Sequence, residues 1–350
     1  MKIAVLVSGG VDSSVALALL KQQGHDVTAF YLKIWLEDEL SYLGSCPWQE
    51  DLEYVQAVCQ QLDVPLHVVS LQQEYHNTVA RYTIEEIKRG RTPNPDVLCN
   101  QRIKFGFFLK HIDDSYEKIA TGHYAQVEHT QDGPVLRMSP DAIKDQTYFL
   151  SYLDKNQLSR ALFPIGHLQK EEVRALAHQF NLPTKDRKDS QGICFLGKLK
   201  FSDFIKHHIG QKPGDLVEYE TGKKLGTHKG FWFHTIGQRQ GSGLAGGPWY
   251  VVTKDTAKNI VYVSRTYHAA DKQRNQFIAT DCNWLASSIE KPTIVQVKLR
   301  HGKNIHQAVI EPHEQHSVKV TLTTNDQGIA PGQFAVFYDN QVCLGAGIIT

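Results

Sequence analysis

The run Ser8–Gly9–Gly10–Val11–Asp12–Ser13–Ser14 constrains what this 350-residue chain can fold into more than any other segment. It follows Lys2–Val7, an apolar stretch of strand length, and precedes a helical pattern from about Ser13 to Gln23 that stops at Gly24. Two adjacent glycines let backbone N–H groups close on an anion, and the hydroxyls of Ser8, Ser13 and Ser14 add donors. The helix N-terminus behind them carries partial positive charge, so the turn suits a pyrophosphate. It lacks the lysine of a GxxxxGK[ST] loop, and it is not GxGxxG. Asp12 reads as a residue that holds Mg²⁺ or orients the loop.

Strand and helix patterns alternate behind this loop. Asp26–Tyr31 and Leu66–Ser70 read as strands, Glu50–Leu62 as a helix through Leu52, Val55, Cys59 and Leu62, and Lys118–Thr121 as a further strand. Glu74–Lys88, Gln101–Ile112 and Lys170–Phe180 have helical spacing. Such alternation implies an α/β domain, a doubly wound parallel sheet with helices on both faces. After about residue 197 the texture changes. Residues 210–250 are rich in Gly, Lys and aromatics, with short strands; within them Phe231–Trp232–Phe233 reads as core packing. From residue 275 onward strand patterns follow one another between turn residues such as Pro331–Gly332, which suggests a small β-barrel. The expected division is 1–197 for a catalytic α/β domain, 198–270 for a small central domain and 271–350 for the barrel.

A chain of this length exceeds one ordinary core. No run of 18 apolar residues exists, so a membrane span is excluded, and MKIAVLV reads as a first strand and not as a signal peptide. The six cysteines (Cys46, Cys59, Cys99, Cys194, Cys282, Cys343) include no CxxC pair, which argues against a zinc ribbon, an iron–sulfur site or a secreted disulfide framework. A cytoplasmic location is expected. None of the 17 histidines has HxxxH or HExxH spacing, so no protein-bound metal is expected. Net charge is only +1, but it is unevenly spread. Residues 1–70 carry 3 Lys/Arg against 9 Asp/Glu, whereas residues 198–240 carry 8 against 4 and residues 272–303 carry 6 against 2. An acidic front with basic middle and rear segments is compatible with a polyanion laid along one side.

Two cysteines sit in loops and not in apolar helices. Cys99 ends Asn94–Pro95–Asp96–Val97–Leu98–Cys99, where two prolines (Pro93, Pro95) stiffen the approach to a helix and Asp96 or Asn100 is available as a cap. A thiol at the mouth of a helix is expected to have a lowered pKa. Cys194 lies in Asp189–Ser190–Gln191–Gly192–Ile193–Cys194–Phe195, another glycine-containing turn.

SGGxDS behind a first strand resembles the PP-loop of N-type ATP pyrophosphatases. Joined to NPDxxC and DSxGICF, to Ala120–Ala125, Lys144–Leu150, Thr235–Arg239 and Pro331–Gln333, it resembles the tRNA-specific 2-thiouridylase family (MnmA/TrmU) over essentially the whole chain and in order. The resemblance implies an adenine nucleotide alpha hydrolase-like front domain that binds ATP with Mg²⁺ at Ser8–Ser14, at Leu32 and at Gly122. It implies sulfur transfer to C2 of a wobble uridine, with Cys194 carrying a persulfide, Cys99 completing the transfer and Asp96 moving a proton. It places the target base against Asn94, Pro95 and Asp96, and tRNA contacts at His123, Lys144, Asp145, Gln146, Arg300, His301 and Gln333. A cysteine desulfurase or a relay protein would supply the sulfur. A Cys99–Cys194 disulfide would follow each turnover; because the two are 95 residues apart and a disulfide needs Cα atoms within about 7 Å, the Cys194 loop is expected to move when tRNA binds. One departure is Leu32 and Ile34, where the family pattern has methionine and asparagine; a main-chain contact to adenine survives that change. The competing readings are a GMP-, asparagine- or argininosuccinate-type ligase, a tRNA lysidine synthetase, a cluster-dependent tRNA thiolase, and a non-catalytic RNA-binding protein. The absence of a glutaminase-like domain and of CxxC, and the presence of two loop cysteines, weigh against them.

Overall fold

The computed structural model describes residues 1–34, 47–188, 200–269, 271 and 274–350. β1 (Lys2–Leu6) is the centre of the first sheet, paired in parallel with β2 (Asp26–Lys33) on one side and β4 (Lys118–Ala120) on the other; β3 (Leu66–Ser70) lies outside β2. A hairpin of β5 (Ala125–Thr130) and β6 (Gly133–Met138) leaves this sheet, and the two-residue β7 (Ala161–Leu162) closes its far edge, giving the order β3-β2-β1-β4-β7. The period-2 alternation of β1 explains the layers. Ile3, Val5 and Val7 enter one buried cluster, with α1 (Val11–Gln22), Val173 and Ala177, while Ala4 and Leu6 enter another, with Phe30, Leu98 and Phe105. Both faces are covered, as the sequence pattern predicts. α1 is buried on nearly every side, and its last turn pairs Lys21 with the Asp63 carbonyl at 2.8 Å.

Two helical segments differ from expectation. Residues 72–88 form one helical run, but His76–Ala80 within it is a π-turn. The helix expected over Gln101–Ile112 is instead a short α-turn, Pro95–Leu98, a π-helical segment, Cys99–Lys104, and a 3₁₀ turn, Phe107–His111. The cap of Pro95–Leu98 is Asn94, whose side chain accepts from Val97 N–H at 3.5 Å, with Pro95 at the first helical position.

The central sheet has the order β10-β11-β8-β9, from β8 (Gly214–Glu218), β9 (Lys224–His228), β10 (Tyr250–Asp255) and β11 (Ile260–Ser264). Phe231 joins its core, Trp232 packs against both it and the front domain, and Phe233 packs against the front domain, in line with the core reading of that aromatic run. The helix Phe201–Ile209 sends Phe204 and Ile205 into the core of the front domain.

The rear of the chain is a closed six-stranded antiparallel barrel. β12 (Gln276–Trp284), β13 (Thr293–Lys298), β14 (His306–Pro312), β15 (Val318–Leu322), β16 (Phe334–Asp339) and β17 (Val342–Ile349) run in the order β12-β15-β14-β13-β16-β17, and β12 pairs back to β17. β17 also pairs with β6, so the hairpin of the front domain extends the barrel sheet by two strands.

Candidate nucleotide and thiol site

Ser8–Ser14 follows β1, Leu32 stands near the end of β2, and Gly122 follows β4. All three lie at the carboxyl end of the parallel sheet, where α/β folds bind ligands. Gly9 adopts φ 77°, and a Cβ there would lie 2.6 Å from the Asp51 carbonyl oxygen, so the position needs glycine twice over. No side chain caps α1, whose first N–H groups are therefore left for an anion. Ser13 and Ser14 Oγ donate to the Gly10 carbonyl at 3.2 and 2.9 Å, and Ser8 Oγ accepts from Gly10 N–H at 3.4 Å, so they stitch the loop itself. Val11 is buried in the core and offers only its main chain. A Cβ on Gly122 would lie 2.6 Å from Ser13 N, which makes this glycine part of the loop's outer wall.

Asp12 Oδ1 accepts from the Tyr124 hydroxyl at 2.8 Å and from Lys170 Nζ at 2.6 Å. Arg187 donates to the Gly9 carbonyl at 2.7 Å and to Asp51 at 2.8 Å, and lies 4.2 Å from the centre of the Tyr54 ring. None of these three partners was found by sequence reasoning. Lys170 begins a helix behind a Gln169–Glu172 capping box, which signals the helix but not the contact.

The Cys99 segment packs against the same domain. Asn100 donates to the Phe149 carbonyl at 3.0 Å, and Gln333 of the barrel donates to the Thr92 carbonyl at 2.7 Å. Thr92 N–H donates in turn to the Pro331 carbonyl at 2.7 Å. The Tyr148 hydroxyl donates to the Phe334 carbonyl at 3.1 Å. Cys99 is fully buried, and burial pushes its thiol up to about 11, against a smaller opposing pull from Lys104 and a further push from Asp96. The lowered pKa expected for a thiol at a helix mouth is thus reversed: Cys99 follows a four-residue turn inside an apolar core, where desolvation exceeds any dipole.

The residues expected to meet tRNA separate into three groups. His123 is half-buried beside Thr121 Oγ1 at 2.6 Å, and burial followed by the Lys104 charge holds its imidazole well below its usual pKa, hence neutral. His301 is exposed and tilts on Phe149 at 4.8 Å; partial desolvation and then Lys298 lower its pKa, with Asp96 among the opposing charges. Arg300 is exposed and paired with Asp326 at 2.6 Å, and Lys144 is half-buried. Gln146 exchanges hydrogen bonds with the Tyr124 main chain, and Gln333 clamps the 92–93 backbone, so each has its amide partly engaged inside the protein. Asp145 requires a correction. Its side chain is 1% exposed and pairs with the equally buried Lys298 at 2.8 Å, because a carboxylate at that junction must be neutralised; it is an interdomain tie and offers no surface to RNA.

Cys194, and with it any pairing to Cys99, lies outside the described residues. Cys59, Cys99, Cys282 and Cys343 are free and buried. Among the described residues, no group of three or more His, Cys, Asp or Glu is placed to hold a metal, and no helix is long and apolar enough to cross a membrane.

A glycine-lined, uncapped helix N-terminus at the carboxyl end of a parallel sheet defines a nucleotide-binding α/β protein, here with a barrel fused behind it. The chain matches the tRNA methyl transferase HUP domain over residues 1–198, the tRNA methyl transferase PRC-barrel domain over 202–265 and the aminomethyltransferase beta-barrel domain over 274–349. It is 46% identical to tRNA-specific 2-thiouridylase MnmA 2 of Bacteroides fragilis over 357 residues, covering 100% of both chains. Identity to the MnmA of Parabacteroides distasonis is 46% over 358 residues, and to that of Porphyromonas gingivalis 44% over 363 residues, each covering 100% of this chain and 99% of the relative. The chain belongs to the MnmA tRNA-specific 2-thiouridylase family.

Proposed function

We propose that this enzyme uses ATP to replace the C2 oxygen of a tRNA wobble uridine with sulfur. The observation that carries the reading is the Gly122–His123 pair. Gly122 abuts the phosphate loop, and His123 packs edge-on against Phe163 at 5.9 Å, a member of the same buried cluster as Cys99, so nucleotide and thiol flank one locality. The chemistry needs both. The uracil C2 carbonyl is a poor electrophile with a poor leaving group; attack of its oxygen on the α-phosphorus releases pyrophosphate and converts that oxygen into part of AMP. A persulfide on Cys194 then attacks C2 and AMP leaves. Cys99, giving up its proton to Asp96 as it reacts, attacks the Cys194 sulfur, breaking the sulfur–sulfur bond, forming a Cys99–Cys194 disulfide and leaving sulfur on the base. Asp96, one turn before Cys99, serves as the proton carrier. Asn94 and Pro95 line the base, Lys144 and Arg300 meet phosphates, and His123, Gln146, His301 and Gln333 contact the extruded nucleotide region. ATP seats on Ser8–Ser14, Leu32 and Gly122.

Mg²⁺ enters with the triphosphate. Magnesium sites commonly use one or two carboxylates plus substrate phosphates, and Asp12 and Asp51 stand beside the loop. Sulfur comes from a persulfide-bearing partner protein. Two matched domains are described by methyl transfer, whereas the full-length relatives are thiouridylases. The phosphate loop favours the second reading, because methyl transfer has no use for a pyrophosphate cradle.

The test supplies purified protein with ATP–Mg²⁺, a persulfide donor and unmodified tRNA, and scores 2-thiouridine after nuclease digestion. Wild type should form it, and Cys99→Ser and Cys194→Ser should not. Pyrophosphate release without thiouridine would leave the adenylating half standing and remove the assigned thiols.

A further inference from the structure

Two chains of hydrogen bonds run from the segment 139–147 to one oxygen of Asp12. In the first, the buried Asp141 accepts from Ile143 N–H at 3.1 Å and Lys144 N–H at 3.0 Å through Oδ1, and from Lys170 N–H at 3.1 Å through Oδ2. Lys170 then reaches Asp12 Oδ1 through Nζ at 2.6 Å. In the second, Gln146 N–H donates to the Tyr124 carbonyl at 2.8 Å, Tyr124 N–H donates to Gln146 Oε1 at 3.0 Å, and the Tyr124 hydroxyl donates to the same Asp12 Oδ1 at 2.8 Å. Tyr124 is 1%, Asp141 7% and Lys170 8% exposed, while the Asp12 side chain on which they converge is 33% exposed, so the links are shielded at the segment and partly solvated at the loop.

The two chains leave the segment at different places and converge on a single atom of the phosphate loop. One link would fix a distance; two from opposite ends of a short segment fix an orientation. A displacement of residues 141–146 must then either carry Asp12 with it or break a part-buried, charged contact. The first residue of α1's polar face is thus set by the stretch that bears Lys144 and Gln146.

We propose that Tyr124 and Lys170 are positioning residues that hold Asp12 in register with the 141–146 segment, so that nucleotide and tRNA bind with mutual thermodynamic coupling. This rests on the tRNA-thiolation reading above. Coupling of this kind is reciprocal: whatever factor tRNA contributes to nucleotide affinity, nucleotide contributes to tRNA affinity. It also gives the enzyme a reason to release pyrophosphate only when a tRNA is docked.

The test measures the dissociation constant of α,β-methylene-ATP with Mg²⁺, in the absence and presence of an unmodified tRNA transcript bearing a wobble uridine. Wild type, Tyr124→Phe and Lys170→Met are compared, with melting temperatures and tRNA-stimulated pyrophosphate release followed alongside. In wild type, tRNA should tighten the analogue by about fivefold or more. In Tyr124→Phe, which removes one hydroxyl and keeps the ring, the ratio should fall to about twofold, and in Lys170→Met to about one. A merely structural role would lower the melting temperature and weaken both ligands while leaving the ratio intact. A wild-type ratio retained by folded Tyr124→Phe would overturn the inference, as would a ratio of one in wild type. Loss of tRNA-stimulated pyrophosphate release in wild type itself would instead sink the functional reading, and the inference with it.

Discussion

Burial sets the chemistry of the thiols. The Cys99 and Cys59 thiols are pushed up to about 11, and those of Cys282 and Cys343 to about 12, each chiefly by desolvation. At pH 8 a thiol of pKa 11 is ionised about one time in a thousand, against roughly a quarter for an ordinary cysteine. Iodoacetamide should therefore alkylate Cys99 at least about a hundredfold more slowly than free cysteine at pH 8, with the rate climbing towards pH 11; peptide mapping checks it, and rapid labelling at pH 8 would refute the buried placement. The same shifts make stability depend on pH. The unfolded chain loses its thiol protons first as pH rises, so the folded state binds more protons between about pH 9 and 11 and stability falls across that window. Each thiol contributes a slope of up to about 1.4 kcal/mol per pH unit there. Lys254, whose ammonium is pushed down to about 8 by burial, acts in the opposite direction from about pH 8 to 10.5 and offsets about one thiol. Urea melts under reducing conditions should be flat to about pH 8.5 and then shift to lower urea. At this scale, Gly9, Asp12 and Gly122 were legible because local motifs carry them. Tyr124, Lys170 and Arg187 were not, since they reach the loop from 112, 158 and 178 residues away along the chain.

Helices and strands were legible wherever burial is one-sided or complete. β1 and β17 announce themselves through apolar runs, and α1 through the apolar run Val15–Leu20 and the left-handed glycine beyond its end, Gly24 at φ 78°. The β5–β6 hairpin was not read because Glu128, His129 and Thr130 are exposed and no alternation survives, although this hairpin is what joins two domains. Nor does spacing distinguish an α-helix from the π-turn that begins at Cys99; only the observed pairing of Phe105 N–H to the Asn100 carbonyl at 3.0 Å does. One element-level contact is directly testable. The exit of β4 passes so close to the first turn of α1 that a methyl group on Gly122 would push Ser13 N and the Asp12 carbonyl carbon, at 2.6 and 2.8 Å. Gly122→Ala should weaken ATP-analogue binding at least about tenfold, roughly 1.4 kcal/mol, while far-UV circular dichroism stays unchanged. Wild-type affinity in that variant would mean that this close approach does not shape the loop.

At the scale of the molecule, the ordered motifs spread along the chain identified the family, but they did not show how its parts are bolted together. Besides the Gln333–Thr92 clamp, two devices do that: the sheet that β6 shares with β17, and the Lys298–Asp145 pair, which spans 153 residues of sequence. Asp145 also accepts from Ser139 N–H at 3.1 Å and from Thr147 Oγ1 at about 3 Å, and Thr147 meets the Tyr338 hydroxyl at 3.1 Å. Every oxygen of this carboxylate therefore has a partner, which a buried charge requires. The pair adjoins Lys144 and Gln146 on one domain and Arg300 and His301 on the other, so it fixes the spacing of the two surfaces proposed to meet tRNA. Lys298→Met should cost about 3–5 kcal/mol, because it strands a buried carboxylate without its counter-charge. Combining Lys298→Met with Asp145→Leu should recover much of that loss, since replacing both partners by apolar groups removes the desolvation penalty along with the attraction. Urea unfolding of the two variants separates the possibilities. If the double variant is as unstable as the single one, the pair's hydrogen bonds to Ser139 and Thr147, and not its charge balance, hold the barrel to the front domain. If it is restored in stability yet binds tRNA poorly, the pair serves the spacing of the RNA surface more than it serves the fold.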